Sequence, residues 1–103
     1  MKLIKLDIDF TVCKIQNIGE VCLDADFVFL SKTDEEISLV CDSRCVPQSA
    51  YAVNAGWKAL KIDGILDFAM TGVIASIVSI LSAAGISVFV ISTVLQSSFT
   101  VTV

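Results

Sequence analysis

The stretch DFAMTGVIASIVSILSAAGISVFVISTVLQSSFTVTV, residues 67–103, is the most informative part of the chain for its fold class. Asp67 is the last charged residue of the chain, so everything that follows it is uncharged. An uncharged segment of this length is typical either of a membrane-spanning segment or of buried elements in a small α/β layer structure. The two interpretations assign the protein different functions, so the local signals within the stretch have to separate them.

These signals divide the stretch into a helix and two strands. Asp67 or Thr71 can cap the start of the helix, and Gly85 predicts its end because glycine tolerates the left-handed conformation after the last turn. The β-branched run ISVFVIST and the alternating FTVTV then predict two strands, joined by VLQSS as a turn. Along the helix, one apolar face has helical spacing and comprises Met70, Val73, Ile74, Ile77, Leu81 and Ala84.

Several features oppose the membrane interpretation. The helical segment contains serines and a threonine, Gly85 interrupts the apolar stretch, and no positively charged flank lies next to it. We therefore favour a soluble packed structure, with a small membrane protein as the weaker alternative.

Composition limits the possible functions of the chain. Its 103 residues suit one domain, and the formal net charge of −4 with a pI near 4.4 opposes nucleic-acid binding, which needs a basic surface. Histidine is absent, which excludes His-based catalysis and His-ligated metals. No phosphate-binding glycine loop or nucleophile elbow is present, so we expect neither an enzyme nor a bound cofactor.

The N-terminal start and the cysteines indicate a cytoplasmic protein. MKLIKLDIDFTV lacks the apolar run of a secretory signal, so a reducing cytosol is expected and all four cysteines should be free thiols. Cys41 and Cys45 have the spacing of half a metal site, but without a second ligand pair we expect no metal and interpret them as small buried residues.

The first half of the chain is predicted to be mostly strands. Four segments are rich in β-branched and aromatic residues, namely KLIKLDI, FTVCKI, DFVFLSKT and EISLVCD. A hairpin connection is expected at residues 32–35, and a loop or short helical turn around Pro47, between Cys45 and Gly56. GWKALKIDG then forms the strand that precedes the helix.

The segment IDGILDFAMTG, where the predicted strand ends and the predicted helix begins, is the best candidate for a binding site. Free amides and the dipole at a helix start favour an anion such as a carboxylate. In a βαβ arrangement the end of the next strand lies beside it, which brings the hydroxyls of Ser92 and Thr93 to the same edge. The alternative for these two residues is ordinary strand-end polarity.

Several of these motifs together resemble a known family. EISLVC followed by VP, then GWKALKIDG, LDFAMTG and AGISVFVIST, resemble ACT domains of the branch found in small bacterial amino-acid-binding proteins and in the arginine-sensing subunits of eukaryotic nutrient signalling. The resemblance covers about residues 36–93. It implies an α+β, ferredoxin-like fold of βαββαβ type, an antiparallel sheet with helices on one face, here without the C-terminal helix. The two ACT-like halves would be residues 1–54 and residues 55–103, the latter incomplete, within one compact unit.

The resemblance also implies a function. ACT domains bind amino acids or similar metabolites at the interfaces between ACT units. By this resemblance, backbone amides of the loop would hold the carboxylate of the ligand, and Ser92 and Thr93 would form hydrogen bonds with the polar groups of the ligand. The resemblance implies that the positions matching the family's binding site face the ligand. In this sequence they are Leu66, Asp67, Phe68, Thr71, Gly72, Ile91, Ser92 and Thr93.

The chain departs from the family after Thr93. VLQSSFTVTV replaces an acidic hairpin and a covering helix, which predicts a homo-oligomer, most simply a dimer, that covers the open sheet face. We therefore expect a regulatory amino-acid-binding module, and the alternative is an oligomerisation module without a ligand.

Overall fold

The structure, a computed structural model, describes residues 2–63, 68–92 and 97–102. Its contacts form two compact units, Ile8–Trp57 and the combination of Met1–Asp7 with Lys58–Val103. We call them the N-terminal and the C-terminal unit. The single compact unit with halves 1–54 and 55–103 stays a prediction; the observed contacts group the first seven residues with the C-terminal unit.

The order of elements is that of an α+β protein. The strands are β1 (Lys2–Lys5), β2 (Phe10–Lys14), β3 (Val28–Lys32), β4 (Ile37–Asp42), β5 (Tyr51–Asp63), β6 (Val88–Ser92) and β7 (Ser97–Thr102). The helix α1 is Phe68–Ala83, and two short 3-10 turns occupy Ile18–Glu20 and Ser43–Cys45. All strand pairs are antiparallel. The predicted α+β class is thereby confirmed, whereas the complete βαββαβ plan stays a prediction.

In the N-terminal unit the strand order is β3-β4-β2-β5. Side chains alternate along a strand, so one face of β2 and β4 carries Cys13, Leu39 and Cys41, each at most 2% exposed. Ile15 completes this core cluster, and partly buried apolar side chains of β3, β4 and the neighbouring loops pack around it. On the other face Phe10 is fully buried and meets Phe27 edge-on, with 6.3 Å between ring centroids. The unit therefore buries side chains on both faces of β2.

Strand β5 begins earlier than the sequence predicts. The segment up to Gly56 was expected to be a loop, but β5 starts at Tyr51 because β2 offers it a free edge, with Lys14 opposite Tyr51. The register between these strands shifts twice, and positive φ angles at Ala52 (50°) and Gly56 (88°) accompany the irregularities. Pairing across the sheet has thus overridden the turn-like composition.

In the C-terminal unit the strand order is β1-β5-β7-β6. The last four residues of β5 pair with β1 on one side and with β7 on the other. β5, α1, β6 and β7 follow one another as strand, helix, strand, strand, as the sequence predicts, and α1 contacts β6. Among the residues the structure describes, no helix is long and apolar enough to cross a bilayer.

Gly85 ends the helix as predicted. Its φ of 77° is left-handed, and two hydrogen bonds close the terminus, from Gly85 N–H to the Ser82 carbonyl at 3.0 Å and from Ile86 N–H to the Leu81 carbonyl at 2.9 Å. This pair of bonds satisfies carbonyls that the last turn of a helix otherwise leaves free.

We expect opposite effects from the same substitution at two glycines of this unit. Gly85→Ala should lower the free energy of unfolding by about 1 kcal/mol, because a Cβ is strained at positive φ. Gly72→Ala should raise it by roughly 0.5–1 kcal/mol, because alanine favours the helix and a Cβ there meets no atom within 4 Å. Urea unfolding of both variants measures the difference. Equal shifts in one direction would contradict the assigned helix end.

Candidate functional site

The ends of two strands lie at one edge of the C-terminal sheet, and the helix follows one of these strands after a short link. β7 is antiparallel to both β5 and β6, so β5 and β6 run in the same direction and end at the same edge. The registers place Ile62, Ser98 and Ser92 in one row across β5, β7 and β6. We call this region the β5–β6 edge.

The start of α1 belongs to the same region. Only residues 64–67 separate the end of β5 from Phe68, the first residue of the helix. Such a link spans on the order of 17 Å when fully extended, so the helix start stays close to the β5–β6 edge. The first turn of α1 contains no acidic residue. Asp67, the residue directly before this turn, is the carboxylate that the sequence places nearest to its free amides.

The predicted site residues are distributed over this region as follows. Phe68, Thr71 and Gly72 lie in the first five residues of α1, and Ile91 and Ser92 are the last two residues of β6. Leu66, Asp67 and Thr93 lie outside the described residues. The backbone thus brings the helix group and the strand group toward one edge, and their contacts with a ligand stay predictions.

Two residues show how open the region is. Gly72 is exposed and a Cβ built on it meets nothing within 4 Å, whereas Ile91 is half-buried. Ser76 Oγ donates to the Gly72 carbonyl at 3.0 Å, which uses that carbonyl within the helix. Thr71 is the fourth residue of α1, so of the two predicted caps Thr71 does not cap the helix start, because a capping residue precedes the first helical turn. The other predicted cap, Asp67, lies outside the described residues.

A second concave region, in the N-terminal unit, was not predicted. A cleft of about 320 Å³ contains both charged and apolar side chains, namely Ile8, Asp24, Ala25, Asp26, Phe27, Asp42, Arg44 and Cys45. The sequence signals for it are the acidic pair in LDADF and the motif DSR. Neither predicts a cleft unless the two loops that carry them are known to be neighbours.

An ion pair forms part of the wall of this cleft. Arg44 Nη2 donates to Asp42 Oδ2 at 2.8 Å, and Arg44 Nε lies 3.2 Å from Oδ1 of the same carboxylate. The Arg44 backbone N–H also donates to Asp42 Oδ1 at 2.9 Å, which caps the 3-10 turn. Hydrogen bonds from Arg44 and its charge lower the pKa of Asp42, and the same contacts raise the pKa of Arg44. Both groups therefore remain charged near neutral pH.

The described part of the chain contains no cluster of three or more His, Cys, Asp or Glu side chains suited to a metal ion. Cys41 lies in the buried core of the N-terminal unit, and Cys45 follows in the 3-10 turn, partly buried.

The C-terminal unit is thus a small α+β unit of antiparallel strands and one helix. Residues 52–100 match the sequence model of the ACT domain. The match covers 49 of the 103 residues, so this segment of the chain is similar to ACT domains. No curated protein matches the chain.

Two solved structures resemble the chain along nearly its full length. Protein Atu0741 from Agrobacterium tumefaciens is 30% identical with a TM-score of 0.79, and the match covers 96% of this chain and 75% of that one. VC0802 from Vibrio cholerae, a protein of unknown function described as a possible transport protein, is 16% identical to this chain with a TM-score of 0.69. This match covers 97% of this chain and 76% of that one. The second match supports the fold alone.

Proposed function

We propose that this protein is a cytoplasmic regulatory module without catalytic activity that binds an amino acid or similar metabolite at the β5–β6 edge, between two copies of the chain. The similarity of residues 52–100 to ACT domains points to a regulatory, ligand-binding role. The observation that supports the proposed position is the shared edge of the β5 end, the β6 end and the α1 start. The specific ACT branch inferred from the sequence motifs is part of this proposal.

The chemistry of this edge suits the carboxylate of an amino acid. Free amides at the start of α1 point toward a bound anion, and the helix dipole favours negative charge there. The chain has no charged residue after Asp67, so the partial charge of the helix end is not masked by charged side chains from the helix or the strands that follow. A hydroxyl at Ser92 supplies a hydrogen bond for the remaining polar groups of the ligand.

The proposed mechanism is thermodynamic linkage. A ligand that binds only the folded, assembled protein stabilises it by RT ln(1 + [L]/Kd), about 2.7 kcal/mol at 100 times Kd. A change in assembly or stability then reports the concentration of the metabolite without any chemical step.

A thermal-shift screen of the twenty amino acids at millimolar concentration tests this proposal. We expect at least one to raise the melting temperature, by about 4–8 °C for each kcal/mol of stabilisation in a small domain. Sedimentation in the presence of that amino acid should show a dimer. If none of the twenty shifts the melting temperature, amino-acid binding is contradicted.

Two variants then test the position of the site. Ser92→Ala and Asp67→Ala should weaken binding of the identified amino acid by roughly fivefold or more, since one lost hydrogen bond costs about 1 kcal/mol. Ser79→Ala is the matched control, because Ser79 is an exposed serine in the middle of α1. Titration calorimetry measures all three. Unchanged affinity in Ser92→Ala and Asp67→Ala would remove the β5–β6 edge from consideration.

An oligomerisation module without a ligand is the second candidate. The observation that favours it is apolar exposure in the C-terminal unit, where Ile80 is 69% and Val90 is 42% exposed. A dimer that persists in the absence of any ligand, together with a negative amino-acid screen, identifies this alternative.

A further inference from the structure

Two loops of the N-terminal unit lie side by side. Residues 15–27 connect β2 to β3, and residues 43–50 connect β4 to β5. The Ser49 backbone N–H donates to Glu20 Oε2 at 3.1 Å, which ties one loop to the other. We call them the first loop and the second loop.

Packing holds the two loops together as well. Val21 of the first loop and Val46 of the second are both partly buried against the same core cluster. Asp24 of the first loop and Arg44 of the second line the same cleft. Hydrogen bonding, core packing and a shared cleft therefore place the loops in one arrangement.

Each of these loops carries one cysteine. Cys22 of the first loop is exposed and directly follows Val21, and Cys45 of the second is partly buried and directly precedes Val46, so the two cysteines flank the valines that pack on the same core cluster. Burial and the nearby Cys22 raise the pKa of Cys45. Cys13 and Cys41 differ from this pair, because both are 2% exposed and lie on β2 and β4 within the core. A reagent in solution thus meets one accessible thiol, and a second thiol lies in the neighbouring loop.

We propose that Cys22 and Cys45 form a reversible disulfide that links the two loops when the protein meets a small-molecule disulfide such as oxidised glutathione. This inference concerns the N-terminal unit and does not depend on the ligand proposed for the β5–β6 edge. In a reducing cytosol both residues remain thiols, so the bond would report oxidation.

The reaction balances as two successive thiol–disulfide exchanges. The exposed Cys22 thiolate attacks one sulfur of oxidised glutathione, which releases one glutathione thiolate and leaves a mixed disulfide. Cys45 then loses its proton and attacks the Cys22 sulfur, which releases the second glutathione. Two protein thiols are oxidised, one glutathione disulfide is reduced, and the two protons are taken up by the departing thiolates.

The assignment of roles follows from exposure. Burial raises the pKa of the Cys45 thiol, so it is the poorer initial nucleophile and reacts once the mixed disulfide lies beside it. Cys13 and Cys41 are shielded from glutathione by the core. We therefore expect a single product.

The disulfide would also join two walls of the cleft, since Cys45 itself and Asp24, near Cys22 in the first loop, both line it. A crosslink between the loops restricts the unfolded chain, so the oxidised protein should melt several degrees higher than the reduced one. Oxidation would in this way fix the spacing of the cleft walls.

Redox titration with mass spectrometry tests the proposal. The full chain is incubated in glutathione buffers from fully reduced to fully oxidised, then alkylated and digested. We expect a loss of about 2 Da, because two hydrogens leave, and one linked peptide pair that contains Cys22 and Cys45. Cys13 and Cys41 should be alkylated only after unfolding.

Single variants separate the two roles. Cys45→Ser should accumulate a stable mixed disulfide between Cys22 and glutathione, whereas Cys22→Ser should remain unmodified under the same conditions. Cys13→Ala is the matched control and should still form the Cys22–Cys45 bond if it folds. The proposal would be overturned if the wild-type protein stops at the mixed disulfide, stays unmodified or links Cys13 to Cys41. Circular dichroism confirms that each variant is folded.

Discussion

Phe10→Ala should lower the free energy of unfolding by about 3–5 kcal/mol. The Phe10 side chain is fully buried and packs edge-on against Phe27, with ring centroids 6.3 Å apart. Truncation removes both the buried apolar surface and the aromatic contact, and it leaves a cavity between strands that pair on both sides of β2. A small domain has only about 5–15 kcal/mol of stability, so this variant should be unfolded at much lower urea concentration.

Urea denaturation at 25 °C measures this effect from the transition midpoint, at an unchanged slope. The control is Leu23→Ala, which removes an apolar side chain that is 70% exposed and should change stability by less than about 0.5 kcal/mol. Phe10→Leu, which keeps most of the buried surface, should lie between the two. A loss below about 1 kcal/mol in Phe10→Ala would contradict the assigned core.

The second large effect is a loss of stability at alkaline pH that depends on Cys41. Burial, followed by the neighbouring thiols Cys13 and Cys45 and the Asp42 carboxylate, raises the pKa of Cys41 from 9.0 to about 12. The folded state therefore keeps this thiol protonated while the unfolded state ionises it above pH 9. Its contribution to stability is complete below pH 9 and is lost progressively as the pH rises toward 12, by at most about 1.4 kcal/mol per pH unit.

Cys41→Ala tests this contribution under reducing conditions. Between pH 9 and 11 its unfolding free energy should fall less steeply than that of the wild type, by up to about 1.4 kcal/mol per pH unit. Cys22→Ala, which removes an exposed thiol, should retain the wild-type dependence. The remaining slope in Cys41→Ala includes Cys13, whose pKa burial also raises. Parallel pH profiles for wild type and Cys41→Ala would show that Cys41 is not buried as a neutral thiol.

Local features of the chain were predictable to within a few residues. The helix expected after Asp67 is α1 (Phe68–Ala83), and Gly85 ends it at a positive φ. The strand after Gly85 is β6, and the alternating terminal strand is β7. Caps, glycine at a helix end and β-branched runs act through neighbours in sequence, so their effects can be predicted from short segments.

The candidate sites depend differently on sequence. The position of Phe68 to Gly72 at a helix start follows from local signals, and the parallel direction of β5 and β6 is expected for a strand-helix-strand unit. The insertion of β7 between them, and the row formed by Ile62, Ser98 and Ser92, come from the observed registers. Spacing in sequence contains no information on register, which depends on which side chains pack on each face.

Patterns in the amino-acid sequence were sufficient to predict the α+β class, the helix and its end, and the strand character of the first half, and they carried the resemblance to ACT domains. Three features depend on the folded chain as a whole: β1 pairs with the end of β5, β5 begins at Tyr51, and the loops that carry Cys22 and Cys45 are neighbours. Each of these depends on segments that are far apart in the chain. Their pairing is selected by the burial and hydrogen bonding of the whole fold, which no local pattern specifies.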